Sequence, residues 1–103
     1  MNIIALIPAR YQSSRLPGKP LLKFGEFNMI QRVYKQTIKA ELIKKAYVVT
    51  DDERISNSIK QINGNVIMVK ENCINGTERI CIALEKLKDK YDLIVNVQGD
   101  EPF

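Results

Sequence analysis

Apolar and polar positions along this chain follow two periods in turn. Runs at 3–7, 47–50, 66–69 and 93–97 are short, rich in β-branched residues and almost unbroken by polar ones. Such runs predict strands buried on both faces, as in a parallel sheet covered by helices. Between them the period lengthens. Ile30, Val33, Tyr34, Thr37 and Ile38 fall at i, i+3, i+4, i+7 and i+8, and Asn28 stands where a helix cap belongs. Ile55, Ile59 and Ile62 make a second stripe, opened by Asp51 and Asp52 and closed by the turn Asn63-Gly64-Asn65. Ile80, Ala83, Leu84 and Leu87 make a third, with Asn75 or Thr77 as its cap. The order β-loop-α-β-α-β-α-β predicts an α/β fold with right-handed crossovers and a mainly parallel sheet.

Composition places this pattern in a soluble globular chain. Of 103 residues, 45% are hydrophobic and 27% charged, which excludes a disordered tail. The length predicts one small domain. No apolar run approaches the roughly 20 residues of a membrane span, and the opening Met1-Asn2-Ile3-Ile4 lacks the cationic start of a signal peptide. With two cysteines, Cys73 and Cys81, a disulfide framework is not expected. Both thiols are expected to fill core positions, and a reducing cytoplasm is the expected location. Histidine is absent. Chemistry must then come from Lys, Arg, Asp, Glu and backbone amides.

Charge is unevenly distributed. Residues 1–45 carry nine basic residues against Glu26 and Glu41, a net charge of +7, while residues 46–103 carry −3. A basic half suits an anionic ligand. Lys35, Lys39, Lys44 and Lys45 are expected on a solvated helix face. Aromatic residues are few and not interleaved with basic ones, so a nucleic-acid stacking platform is not expected.

In a doubly wound fold, ligands bind beyond the carboxyl ends of the strands. The first strand runs into Pro8-Ala9-Arg10-Tyr11-Gln12-Ser13-Ser14-Arg15-Leu16-Pro17-Gly18-Lys19-Pro20. This loop holds three cations: Arg10 and Arg15 can fork onto phosphate oxygens, and Lys19 adds a compact charge. Gly18 lets backbone approach a ligand. The stretch is neither a Walker A loop nor a G-x-G-x-x-G fingerprint. The third strand leads to Asn75-Gly76-Thr77-Glu78-Arg79, where amides at a helix start suit a base edge or a phosphate and plain capping serves equally. After the fourth strand, Gln98 has donor and acceptor for a base or sugar, and Asp100 is placed either to hold Mg²⁺ or to start a turn. For Thr50-Asp51-Asp52-Glu53, capping and the helix dipole suffice.

Taken together, these loops resemble the 3-deoxy-D-manno-octulosonate cytidylyltransferase (CMP-KDO synthetase) family. The resemblance rests on residues 7–21, on Asn75-Gly76-Thr77-Glu78-Arg79 and on Val95-Asn96-Val97-Gln98-Gly99-Asp100-Glu101-Pro102, and it covers the chain in order. The family usually has serine where this chain has Asn75. The resemblance implies a three-layer, Rossmann-like fold of the nucleotidyltransferase type, with residues 1–103 as its N-terminal, nucleotide-binding part and the C-terminal part lying beyond. The abrupt Asp100-Glu101-Pro102-Phe103 after a strand fits that expectation.

By resemblance the reaction transfers CMP from CTP to 3-deoxy-D-manno-octulosonate (KDO), releases pyrophosphate and serves lipopolysaccharide biosynthesis. Pro8, Ala9 and Arg10 then line the nucleotide pocket, and Arg15 and Lys19 hold the triphosphate. Asn75, Gly76 and Thr77 face cytosine and ribose. Gln98 sits between nucleotide and sugar, and Asp100 ligates Mg²⁺; Arg10, Arg15, Lys19 and Asp100 are the catalytic set. The full-length form is expected to be a homodimer, with neither nucleic acid nor membrane as partner. Three alternatives stand beside this: an amino-KDO acceptor, a sialate acceptor, and an inactive fragment that at most binds CTP.

Overall fold

The computed structural model describes residues 1–11, 18–71, 76–88 and 90–97, with the Phe24 side chain left aside. In chain order the elements are β1 (Ile3–Pro8), a 3-10 turn (Lys19–Leu21), β2 (Lys23–Phe24), β3 (Phe27–Asn28), α1 (Met29–Ile38), β4 (Ile43–Thr50), α2 (Glu53–Lys60), β5 (Asn65–Met68), α3 (Gly76–Lys86) and β6 (Leu93–Asn96). Four strands form one parallel sheet in the order β5-β4-β1-β6, and β2 and β3 pair as a small antiparallel hairpin.

β1 is the axis of the fold because its sequence is apolar on both faces. Ala5 and Ile7 point into one core with Met29, Ile30, Val33 and Tyr34 of α1 and Ile55 and Ile59 of α2. Ile4 and Leu6 point into the other, with Val49, Ile67, Val69 and Ala83 of α3. Successive strand residues face opposite sides. One hexapeptide thereby joins the two halves of a three-layer α/β structure, as the patterning predicts.

α1 and α2 begin at side-chain caps. At α1, Asn28 and Gln31 form a capping box: the Gln31 amide donates to Asn28 Oδ1 at 2.8 Å and the Asn28 amide to Gln31 Oε1 at 2.9 Å. Gln31 Nε2 also donates to Ser58 O at 2.7 Å, tying α1 to α2. Asp52 caps α2, accepting from the amides of Arg54 at 2.8 Å and Ile55 at 3.3 Å. α2 closes with a Schellman turn: the Gly64 amide donates to Ile59 O at 2.9 Å and the Asn63 amide to Lys60 O at 3.0 Å, with Asn63 left-handed at φ 59. Gly64 is fixed by space rather than by φ, because a Cβ there would meet Ile59 Cγ2 at 2.5 Å.

Several expectations are corrected. β4 starts at Ile43, not at residue 47, so Lys44 and Lys45 are exposed strand residues rather than part of a helix face. The ladder extends that far because Ile3 and Ile4 of β1 pair with Ile43 and Lys45, with an irregularity that skips Lys44. Cys81 is exposed, not a core filler. It lies two residues from the buried Ala83, nearly opposite it on α3. Cys73 lies outside the described residues. Ile38 closes the α1 stripe in the sequence but is 48% exposed. Thr77 is not a cap, because α3 begins at Gly76 and takes Thr77 into its first turn.

Candidate functional site

Sheet order decides where the site lies. From β1 the chain passes to β4 and then β5 on one side, and α3 returns it to β6 on the other side of β1. The strand order thus reverses between β1 and β6, and a doubly wound sheet opens its ligand crevice beyond the carboxyl ends of such a pair. Those ends are Pro8-Ala9-Arg10 and Asn96-Val97. The strands run level there, since Leu6 pairs with Asn96 and the Val97 amide donates to Leu6 O at 2.9 Å.

At the end of β1, Pro8 is half-buried and Ala9 buried, and the Ala9 amide donates to Val49 O at 2.9 Å, prolonging the ladder to β4. Arg10 is the first exposed residue beyond the sheet. Tyr11 and Gly18 then meet again: the Gly18 amide donates to Tyr11 O at 2.7 Å. Gly18 is left-handed at φ 79, and a Cβ there would lie 2.8 Å from Tyr11 Cε2. Among the described residues, the neighbour that Gly18 admits is therefore Tyr11. Lys19 follows, half-buried, at the start of the 3-10 turn, anchored by the buried Pro20.

The segment after β4 contributes more than capping. Arg10, Tyr11, Asp51, Asp52 and Arg54 line a polar cavity of about 180 Å³. Within it the Arg54 guanidinium lies 3.5 Å from the centroid of the Tyr11 ring. The same guanidinium forks onto Asp52, Nε to Oδ1 at 3.1 Å and Nη2 to Oδ2 at 2.7 Å. The hydrogen bond from the Arg54 side chain holds the Asp52 carboxyl below the ordinary carboxylate value, with help from the amides of Arg54 and Ile55 against the cost of burial.

Gly76 and Thr77 are exposed at the start of α3, and a Cβ at Gly76 would meet nothing within 4 Å. Behind them Arg79 is buried, with Nη2 4.0 Å from Asp51 Oδ2 and Nε without a hydrogen-bond partner among the described residues. α3 thus begins beside the end of β4.

Of the predicted site residues, Pro8, Ala9, Arg10 and Lys19 stand at the end of β1 and along the segment that leaves it. Gly76 and Thr77 stand at the start of α3. Arg15, Asn75, Gln98 and Asp100 lie outside the described residues. Sequence reasoning missed Tyr11, Arg54 and Asp51 as neighbours of Arg10. No local signal in the sequence points to them, because their closeness to Arg10 depends on the pairing of β4 with β1. Among the described residues no group of three or more His, Cys, Asp or Glu gathers to hold a metal, and no helix is long and apolar enough to cross a membrane.

Residues 4–103 match the cytidylyltransferase family. The 3-deoxy-manno-octulosonate cytidylyltransferase of Trichlorobacter lovleyi is 50% identical over 103 residues, covering all of this chain and 40% of that protein. The mitochondrial 3-deoxy-manno-octulosonate cytidylyltransferase of Arabidopsis thaliana is 49% identical over 102 residues, covering 99% of this chain and 35% of that protein. An 8-amino-3,8-dideoxy-manno-octulosonate cytidylyltransferase of Shewanella pealeana is 48% identical over 105 residues, covering 100% and 42%. Among solved structures, a CMP:2-keto-3-deoxy-manno-octonic acid synthetase complexed with CTP superposes with a TM-score of 0.89 at 38% identity, covering 99% of this chain and 42% of that one. A cytidylyltransferase of Leptospira borgpetersenii serovar Hardjo-bovis superposes with a TM-score of 0.81 at 25% identity, covering 97% and 42%. The chain spans about two fifths of the length of the relatives it matches. With its parallel sheet, its strand order reversing beside β1 and a match over nearly every residue, the chain belongs to the cytidylyltransferase family.

Proposed function

We propose that this chain forms the nucleotide-binding part of an enzyme that transfers CMP from CTP to 3-deoxy-D-manno-octulosonate and releases pyrophosphate. One observation carries the reading. Arg10 stands exposed just beyond the end of β1, the strand at which the strand order reverses, in a fold that superposes at a TM-score of 0.89 on a synthetase complexed with CTP.

Cytidylyl transfer asks little covalent work of a protein. Positioning and stabilisation of spreading phosphate charge supply most of the acceleration. In this reading Pro8 and Ala9 bring backbone against the nucleotide, and Arg10, Arg15 and Lys19 neutralise the triphosphate and the departing pyrophosphate. Gly76 and Thr77, with Asn75, meet base and ribose through the open start of α3, and Gln98 lies between nucleotide and sugar. Asp100 is the proposed Mg²⁺ ligand, a hard oxygen donor of the kind this ion takes. When bound, Mg²⁺ draws charge from the phosphate and sharpens the attacking hydroxyl. A homodimer of the full-length form, a cytoplasmic location and a place in lipopolysaccharide biosynthesis belong to the same proposal.

A second acceptor has specific support, because the Shewanella relatives at 48% and 49% identity are named for the 8-amino sugar. The test is pyrophosphate release from CTP by the chain extended to its relatives' full length, with KDO, 8-amino-KDO or sialate as acceptor. Release with KDO is expected. Release with the amino sugar alone moves the reading to that acceptor. Release with sialate alone, or with none, overturns it.

A further inference from the structure

Three contacts meet on the Tyr11 ring and the carbonyl beside it, and the proposed chemistry uses none of them. The Gly18 amide donates to Tyr11 O at 2.7 Å, the Gly18 Cα packs so closely on the ring that a Cβ would lie 2.8 Å from Cε2, and the Arg54 guanidinium sits 3.5 Å from its centroid. Arg54 is held in turn by Asp52 through two hydrogen bonds, at 3.1 and 2.7 Å. Helix capping needs only the Asp52 carboxylate, which already serves the amides of Arg54 and Ile55. The Arg54 side chain is 59% exposed. An exposed arginine ordinarily keeps its rotamer freedom, and fixing it opposes folding entropically. Here its planar fork is fixed at the carboxylate while the guanidinium covers an aromatic ring, an arrangement suited to orienting a neighbour.

That neighbour is the anion-binding segment. Tyr11 follows Arg10 directly, and Gly18 directly precedes Lys19. Whatever holds Tyr11 against Gly18 therefore sets where the backbone of both cations leaves the sheet. We propose that Arg54, clamped by Asp52 and stacked on Tyr11, is a positioning residue that couples the start of α2 to the triphosphate-binding segment. The inference deepens the function proposed above and rests on it for its kinetic arm. Arg54 itself is not a catalytic residue in this scheme: it acts through Tyr11 on Arg10 and Lys19. Lysine at this position keeps the charge but loses the planar fork and the stack, so it restores the effect only in part.

Two readouts test this in the full-length enzyme. Arg54→Met is expected to raise KM for CTP and lower kcat/KM for CTP about five- to tenfold, the scale of one stacked cation and one exposed fork. KM for the sugar should stay unchanged, with Arg54→Lys intermediate. Tyr11→Phe, which keeps the ring, should lose less than Tyr11→Leu. The second readout needs no activity. Hydrogen exchange of the Gly18 amide should quicken about three- to fivefold in Arg54→Met, while the Val97 amide, bonded to Leu6 O across the sheet, keeps its rate. Equal changes at both amides, or none at Gly18, overturn the proposal, as does an unchanged KM for CTP in an active enzyme. An inactive wild type refutes the proposed function instead and leaves the exchange result to judge Arg54.

Discussion

The Arg79 guanidinium, buried near the start of α3, lies 4.0 Å from the carboxylate of Asp51 at the end of β4. The pair spans two elements of the sheet and its outer layer, yet it is lopsided: the Arg79 side chain is 7% exposed and that of Asp51 42%. A buried charge that loses its partner costs more than the pair is worth, whereas an apolar replacement of similar shape is often neutral. Asp51→Asn is therefore expected to destabilise by about 1 kcal/mol, the half-exposed partner and the long separation keeping it at the low end. Arg79→Met should cost less than Arg79→Ala, which also leaves a void. Urea midpoints of the three variants check this. Equal losses in Arg79→Met and Arg79→Ala would show that charge, not volume, dominates.

Gly64 and Asn63 separate two reasons for a glycine at a helix end. Asn63 has the left-handed φ, so Asn63→Gly relieves strain and should change stability by no more than a few tenths of a kcal/mol. Gly64 has the crowded environment, with Ile59 Cγ2 at 2.5 Å and Tyr34 Cε2 at 3.0 Å from a Cβ. Gly64→Ala should cost about 1–3 kcal/mol through overpacking. Thermal unfolding of both variants decides, and a neutral Gly64→Ala would mean that Ile59 and Tyr34 repack.

Legibility followed the physics of each signal. Ile3-Ile4-Ala5-Leu6-Ile7 announced a doubly buried strand because both neighbouring layers need apolar partners, and Asn28 and Asp52 announced their caps because amides at a helix start need acceptors. The first residues of β4 were hidden, because Lys44 and Lys45 are polar and the strand reaches that far only through the pairing of Ile43 with Ile3 and of Lys45 with Ile4. The hairpin of β2 and β3 is too short for any period to register. At the site, the cations after β1 were readable from their density in one loop. Their neighbours Asp51 and Arg54 were not, since nothing local to Thr50-Asp51-Asp52-Glu53 says that β4 lies next to β1. The strand order, which aligns the ends of β1 and β6, is a tertiary fact.

The proposed roles of Lys19 and Asp100 carry a quantitative expectation. A phosphate-clamping cation or a metal carboxylate typically supplies several kcal/mol of transition-state stabilisation. Lys19→Ala and Asp100→Asn, each made in the full-length enzyme, should lower turnover at least about a hundredfold, or about 2.7 kcal/mol. Removing divalent ions with a chelator should abolish wild-type activity, and Mg²⁺ should restore it. Near-normal turnover in both variants would defeat the assignments.

Acid should weaken the clamp between Asp52 and Arg54. The Asp52 carboxyl is held below its ordinary value, first by the hydrogen bond from the Arg54 side chain, and Asp51, Arg10 and Tyr11 line the same cavity. A depressed folded-state value means that the charged form favours folding. The contribution is complete above the unfolded value of about 3.9 and fades as pH falls through the lower folded value. Asp52→Asn keeps a capping side chain but removes the charge. The stability difference between wild type and Asp52→Asn should then be constant above about pH 5 and shrink below about pH 4. Glu71, lowered mainly by its hydrogen bond from Lys86, titrates in the same direction but is common to both proteins and cancels. Urea unfolding from pH 3 to pH 7 measures the difference directly, and one that grows on acidification would reverse the sign assigned to Asp52.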